Sequence, residues 1–458
     1  MTTTTARVGD GTTVPIVAPI RLLDIDLNQP LQSITPVRGE DAALYRRAQV
    51  LVRLHRRPVG RVDLLLDADG GLPAERLAAA IWQALDATIR KHLDSDGART
   101  PTELPVDGLP SGPCRQEPAI SDPPLVSIVI PTRNRSRHLV GCVDSLVRLD
   151  YPLVEILIVD NAPATPATAE LIEERYGHLR QVQYLREDRP GSSIARNTGL
   201  AAARGDIVAF TDDDAVADPA WLTGLVNGFT LAADVTCVTG LVLPAELETQ
   251  AQVWFEQYGG FDRGYERRRY DLTEHRGSSP FYPYVAGIFG SGNNMAFRTA
   301  KLRAMGGFDP ALGAGSPVRA GADIEAFLRV VLSGETLVYE PAAIVRHHHR
   351  RDYAALRRQV HDYGVGITAI LTRYLLSDPA CRRALLTRAP TGIAIMFGPR
   401  SVKNAKKDAT YPTDLFLQEL KGMMLGPFIY ARSVSRLVPL RPVKPRRRLR
   451  PRREEPSA

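Results

Sequence analysis

Cysteine is scarce and scattered. Cys114, Cys142, Cys237 and Cys381 stand far apart and no CxxC pair occurs. Neither a zinc site nor a disulfide framework is therefore expected, and a reducing compartment is the default. Cys142 and Cys237 sit among apolar neighbours, where a thiol serves as a small core residue. Long hydrophobic runs are missing too. No uninterrupted stretch approaches the ~20 residues that a membrane-spanning helix needs, and the start, MTTTTAR, lacks the apolar core of a secretory signal. Neither GxGxxG nor GxxxxGK[ST] follows any predicted strand, which disfavours a dinucleotide dehydrogenase and a P-loop NTPase. Finally, the body of the chain carries little net charge. The tail 441–458 holds eight basic residues against Glu454 and Glu455, so it supplies six of the seven net positive charges. A basic face spread over the body is not expected, and nucleic acid is not an expected partner.

What is there is an ordinary globular composition over 458 residues, enough for two or three domains. Residues 1–95 read as a small α+β module. Two strand-like runs, Val50–Leu54 and Val62–Leu66, flank a break at Arg56–Gly60, and a helical pattern follows over 73–93. Residues 96–123 are rich in Asp, Gly, Pro and Ser and read as a linker. From 124 onward strands alternate with helices. VSIVI, VEILIV, VQYL and IVAF are the strands, and helices are expected over 138–149, 165–176 and 193–203. That alternation predicts right-handed βαβ units and a parallel sheet. Amphipathic helices return over 351–440, and the Arg-rich tail 441–458 is expected to be disordered.

The chain is organised around the stretch that ends the fourth strand, IVAFTDDDA. Its apolar run reads as a buried strand. Asp212, Asp213 and Asp214 then fall at the carboxyl end of the sheet, where open α/β sheets bind ligands. Three adjacent carboxylates repel one another, so basic side chains or a divalent cation must compensate them. Hard oxygen ligands suit magnesium or manganese shared with substrate phosphates. Pro131-Thr132-Arg133 and Asp160-Asn161 close two other strands at the same edge.

Taken in order, VSIVIPTRNR, EILIVDNA, PGSSIARNTGL and GDIVAFTDDDA resemble the nucleotide-sugar-binding half of inverting family 2 glycosyltransferases with the GT-A fold, over 124–350. The resemblance implies an α/β, Rossmann-like fold and metal-dependent transfer of a sugar from a nucleotide-diphospho-sugar to an acceptor hydroxyl, with inversion by a single displacement. It implies that Pro131, Thr132 and Arg133 line the base and ribose pocket and that Asp160 accepts a hydrogen bond from the base. Arg196 and Asn197 would lie near the nucleotide. Asp212 would approach the ribose and share the metal with Asp214, while Asp213 would bind nucleotide-sugar in another orientation. Gly290–Arg298, with Asn293 and Asn294, resembles the family's GxxNMAFR stretch on the acceptor side. Asp323 matches the catalytic base, although Ala322 replaces the acid that usually precedes it, and Glu325 is a rival. His347, and after it His349, would complete a metal shell that holds Mn2+ or Mg2+. A UDP-sugar fits Asp160, as does a dTDP-sugar; the acceptor is a lipid, a polysaccharide or a small molecule.

Two further readings stay open. A nucleotidyltransferase shares this fold class, but the loop after the first strand lacks its glycines. A binding module that has lost its chemistry would account for Ala322. Residues 415–437 form an apolar helix beside the basic tail, the two-signal arrangement of peripheral attachment to the inner face of the plasma membrane in a cytoplasmic protein; packing on the catalytic domain is the competing reading.

Overall fold

The computed structural model describes residues 16–40, 43–110, 112, 114, 120–285, 287–377, 379–397 and 407–436; the Thr-rich start over 1–15 and the basic tail over 441–458 lie outside them. Near the start, β1 (Arg21–Asp26) runs parallel to β2 (Arg47–Leu54), which turns back antiparallel into β3 (Arg57–Leu65). No alternation predicts β1, because its side chains are nearly all half-buried. The turn from β2 to β3 is His55-Arg56, both at positive φ (52° and 67°), a two-residue geometry whose twist suits the flanking strands. The expected break at Arg56–Gly60 is thus mostly strand, with a register shift opposite Pro58.

Helix α1 (Ala74–Asp96) lies on this sheet and stops where Gly97 takes φ 72°. Val50, Val52, Leu64, Leu77, Ile81 and Leu85 share the core between them. Part of the stretch expected as a linker is docked here. Leu104 and Leu109 are buried in the same core, and the Leu109 amide donates to the Leu27 carbonyl at 2.6 Å.

The main sheet is built from β4 (Val126–Thr132), β5 (Val154–Asn161), β6 (Val182–Glu187), β7 (Ile207–Phe210), β8 (Ala215–Ala217), β9 (Val235–Pro244), β10 (Arg268–Tyr270), β11 (Met295–Arg298) and β12 (Thr336–His347). Its order is β10-β12-β9-β11-β7-β4-β5-β6, with β8 on β12. β4, β5, β6 and β7 are mutually parallel, as the alternation predicts. The remainder is mixed, because β11 enters antiparallel between β7 and β9. The chain leaves β4 towards β5 and returns on its other side as β7, which makes this edge a topological switch point where ligands bind.

Helices α2 (Ser136–Val147), α3 (Ala167–Tyr176) and α5 (Trp221–Phe229) cover one face of the sheet; α4 (Ser192–Ala202) and α8 (Ala322–Leu332) cover the other. Burial on both faces explains the continuous apolar character of β4 and β7. β12 breaks register between Glu340 and Ile344. The Asn294 amide bridges that break, donating to the carbonyls of Ala343 (2.8 Å) and Leu241 (2.9 Å).

Beyond the sheet, α6 (Gln250–Tyr258), α7 (Thr299–Ala304), α9 (Tyr353–Ser377), α10 (Pro379–Phe397) and α11 (Asp414–Val434) complete the described helices. α11 packs along α9, and Gly364 and Gly422 sit where any Cβ would overlap the facing backbone. Pro427 does not interrupt α11. It cannot donate to the Met423 carbonyl, and the Thr368 hydroxyl takes that acceptor at 2.9 Å. Among the described residues, no helix is long and apolar enough to cross a membrane.

Candidate active site

A cleft of about 2740 Å³ opens at the switch point and extends towards α9 and α11. One wall is the end of β4 and the loop after it, with Pro131, Thr132, Arg133 and Arg135; the floor is Asp212, Asp213 and Asp214 after β7. The carboxylates are placed together because β7 is pinned between β4 and β11 and ends at Phe210.

Two arginines hold the three carboxylates. Arg196 on α4 donates to Asp212 at 2.9 Å. Asp213 accepts the Thr132 hydroxyl and Arg135 Nη1, both at 2.7 Å. Asp214 accepts Arg135 Nη2 at 2.8 Å and faces His347 Nε2 at 3.2 Å. Arg350 stands 4.0 Å away. Burial raises Asp213 to about 7, with Asp214 and Asp212 adding repulsion and Arg135 opposing it. Burial also pushes Asp214 upward, but His347 and Arg135 outweigh it and hold that carboxyl well below the usual range. The middle carboxylate thus accepts Thr132 and one arm of Arg135, whose other arm holds Asp214.

Asp212, Asp214 and His347 bring their ligand atoms within 4.8 Å of one another. Two carboxylate oxygens and an imidazole nitrogen fit a divalent cation of the manganese or magnesium kind. The histidines behind them support that fit. His347 Nδ1 lies 3.1 Å from His349 Nδ1, and His349 Nε2 lies 3.0 Å from Glu256. If Nε2 of His347 offers its lone pair to a cation, Nδ1 donates to His349, whose Nε2–H then donates to Glu256, and every contact in the row is a hydrogen bond. Burial lowers the His349 imidazole although Glu256 opposes it, which favours the neutral ring that this row requires.

Asp323 also lines the cleft, at the start of α8, and accepts the Gly292 amide at 2.8 Å; the Gly292 carbonyl in turn accepts Arg196, the partner of Asp212, at 3.4 Å. Asn293 lines the cleft with its side-chain oxygen buried and unpartnered. Glu325 does not rival Asp323. It is fully buried between Arg329 (3.0 Å) and Arg373 (3.1 Å) and serves the packing of α8 on α9.

Asp160, Asn197 and Asn294 do not line the cleft, and neither does His349, which stands behind His347. Asp160 is buried beneath the end of β5 and accepts the Tyr184 hydroxyl at 3.0 Å; burial raises its pKa, and its neighbour Asn161 takes the place in the wall. Asn197 braces Phe308 through two 2.8 Å hydrogen bonds to its backbone. Asn294 is the sheet clamp described above and also accepts the Trp221 indole N–H. Arg135, which holds two of the three carboxylates, has no counterpart in the sequence reading. Its signal is its place one residue before α2, where a long cation reaches across the loop.

Residues 127–289 match the family model "Glycosyl transferase family 2". Among curated relatives, the chain is 25% identical over 346 residues to the pre-mycofactocin glycosyltransferase of Mycobacterium tuberculosis; the match covers 71% of this chain and 66% of that protein, a little under two thirds of its length. It is 25% identical over 229 residues to the glucosyl-dolichyl phosphate glucuronosyltransferase of Haloferax volcanii, covering 48% and 68% of the two chains. Among solved structures, a mannosyltransferase from Pyrobaculum calidifontis in complex with GDP-Man and Mn2+ matches at a TM-score of 0.44 and 19% identity, over 67% of this chain and 88% of that one.

Proposed function

From the premise that residues 127–289 are a family 2 glycosyltransferase domain on a GT-A sheet, we propose that the chain moves a sugar from a nucleotide-diphospho-sugar to an acceptor hydroxyl with inversion. The observation that carries the reading is the convergence of Asp212, Asp214 and His347 in the cleft that Asp323 also lines. On this reading 124–350 is the catalytic unit, 1–95 a docked accessory module and 351–440 a helical extension.

Asp212, Asp214 and His347 would hold the divalent cation, which when bound neutralises the leaving diphosphate as a Lewis acid. Arg135, Arg196 and Arg350 add positive charge at the same edge. Pro131, Thr132, Arg133 and Asn161 form the wall against which a nucleoside lies; Asp160 supports that wall from beneath. Asp323 takes the proton of the acceptor hydroxyl as it attacks, and the Gly292 amide fixes which carboxylate oxygen is engaged. A single displacement needs no enzyme nucleophile. UDP-sugars are the first donors to try and dTDP-sugars the second.

The acceptor arm of the cleft is lined by Leu371, Leu375, Leu385, Leu386, Met423 and Met424. This lining supports an acceptor with an apolar part, reached from a membrane surface at the cytoplasmic face. Transfer assays with hydroxyl acceptors bearing an alkyl or prenyl chain, set against water-soluble glycans of the same sugar, test this: the account expects product with the former, and equal or better transfer to the latter would overturn it.

A further inference from the structure

Outside the cleft, the accessory module gathers four metal-ligating side chains from three separate places. His55 is in the β2–β3 turn, His92 and Asp96 are one helical turn apart near the end of α1, and Cys114 is on the stretch leading to β4. His55 Nδ1 lies 3.0 Å from Asp96 Oδ2 and 3.2 Å from His92 Nε2, and His92 Nε2 lies 3.2 Å from the same oxygen. Cys114 Sγ is 3.7 Å from His92 Nε2, and all four atoms lie within 4.8 Å of one another. We propose that His55, His92, Asp96 and Cys114 form a structural zinc site that clasps the hairpin tip, the end of α1 and the segment entering the main sheet.

Three arguments support the assignment. First, the three mutual contacts among His55 Nδ1, His92 Nε2 and Asp96 Oδ2 cannot all be hydrogen bonds. Each ring nitrogen carries at most one proton, so both can donate to the oxygen but the nitrogens then face each other proton to proton. A cation at the centre satisfies all three at once. Second, the spacing is right. Ligands about 2.0–2.3 Å from a tetrahedral zinc stand about 3.3–3.8 Å from one another, within a few tenths of an ångström of the separations above. Third, the donors are a thiol, two imidazoles and a carboxylate, a set that suits zinc and not magnesium. The side chains of His55, His92 and Asp96 are only 6%, 6% and 3% exposed and Cys114 is half-buried, so four protein ligands close the site as in structural zinc sites. The absence of any CxxC hides it from the sequence, since its ligands come from one cysteine and an i,i+4 pair on a helix.

The site has a consequence for docking. Next to His55, Arg56 pairs with Asp150 at 2.6 Å, and Arg57 reaches the buried Glu340 of β12 at 2.8 Å. Fixing the hairpin tip therefore fixes the contact between the accessory module and the main sheet.

Metal content of the full chain, purified without chelator, tests the proposal. The expected result is about one tightly held zinc per chain, retained by Asp214→Ala and lost by Cys114→Ser and by His92→Ala. Cobalt-substituted wild type should show a thiolate-to-cobalt charge-transfer band that Cys114→Ser lacks, a readout that stands even if His92→Ala does not fold. Chelation should expose 97–110 to limited proteolysis, and ZnCl2 should restore protection. A folded wild-type chain that carries no zinc and takes up none from ZnCl2 would overturn the proposal. So would zinc lost by Asp214→Ala but kept by Cys114→Ser, since the ion would then belong to the cleft.

Discussion

At the residue scale, Asp323 and Glu325 are two acids on one helix with opposite duties. Asp323 faces the cleft, so Asp323→Asn is expected to lower kcat by roughly 10²–10⁴-fold with little change in donor KM, read from initial rates at saturating donor. Glu325 neutralises two buried arginines. Glu325→Gln should cost stability, on the order of 3 kcal/mol, seen as a lower Tm, while a donor-binding titration of the folded fraction stays as in wild type. The reverse pattern would exchange the two roles. Behind the carboxylates, Glu256→Ala removes the last acceptor of the histidine row and should weaken Mn2+ affinity about 10–100-fold, measured by calorimetric titration. The structure brings Asp212, Asp214, His347 and Asp323 to the cleft; a strand end drew the sequence reading to Asp212 and Asp214, and the family resemblance to His347 and Asp323. Asp160, Asn197 and Asn294 were misread because sequence position does not say which way a polar side chain turns. Asn294 turns inward to clamp a strand irregularity that no pattern of residues announces.

At the level of elements, β6 and α4 meet through Glu187. It accepts Arg189 and the Thr198 hydroxyl, and these bonds, the Arg189 pair foremost, lower its pKa to about 2. A carboxyl depressed in the folded state stabilises above its unfolded value and loses that contribution as pH falls towards about 2. Wild type should therefore lose Tm more steeply than Glu187→Gln as acid is added below the ordinary carboxylate range; parallel curves would contradict this. Because Arg189 is largely exposed, the difference is modest. The α9–α11 crossing makes a second demand. A methyl group at Gly422 must push the helices apart, so Gly422→Ala should cost roughly 1–3 kcal/mol, checked by chemical denaturation. The βαβ alternation and most helix spans were readable because buried strands and amphipathic helices leave periodic signals. β1 and the docking of Leu104 and Leu109 were not, since each depends on burial against residues distant in the chain. Gly422 and Pro427 read as helix breakers locally, whereas packing on α9 and the Thr368 hydroxyl override them.

Across the whole molecule, the cleft joins a charged end to an apolar one, and α11 extends the apolar end to the surface. Leu417, Met424 and Phe428 stand 60%, 69% and 76% exposed on that helix. One face of this helix packs on α9 and the other is left apolar. If that face meets a membrane, the full chain should sediment with anionic vesicles, and Leu417→Ser with Phe428→Ser should reduce the bound fraction; sedimentation unchanged by the pair would remove α11 from the interface. The most direct test of the central claim is hydrolysis of a panel of UDP-, dTDP- and GDP-sugars with and without Mn2+ by wild type, Asp214→Ala and Asp323→Asn. The account predicts slow, metal-dependent hydrolysis of one donor by wild type, abolished in Asp214→Ala, with donor binding retained in Asp323→Asn. If no donor is bound or turned over, and Mn2+ leaves the Tm of wild type and Asp214→Ala alike, the chain is a binding module on this fold and the catalytic reading is wrong.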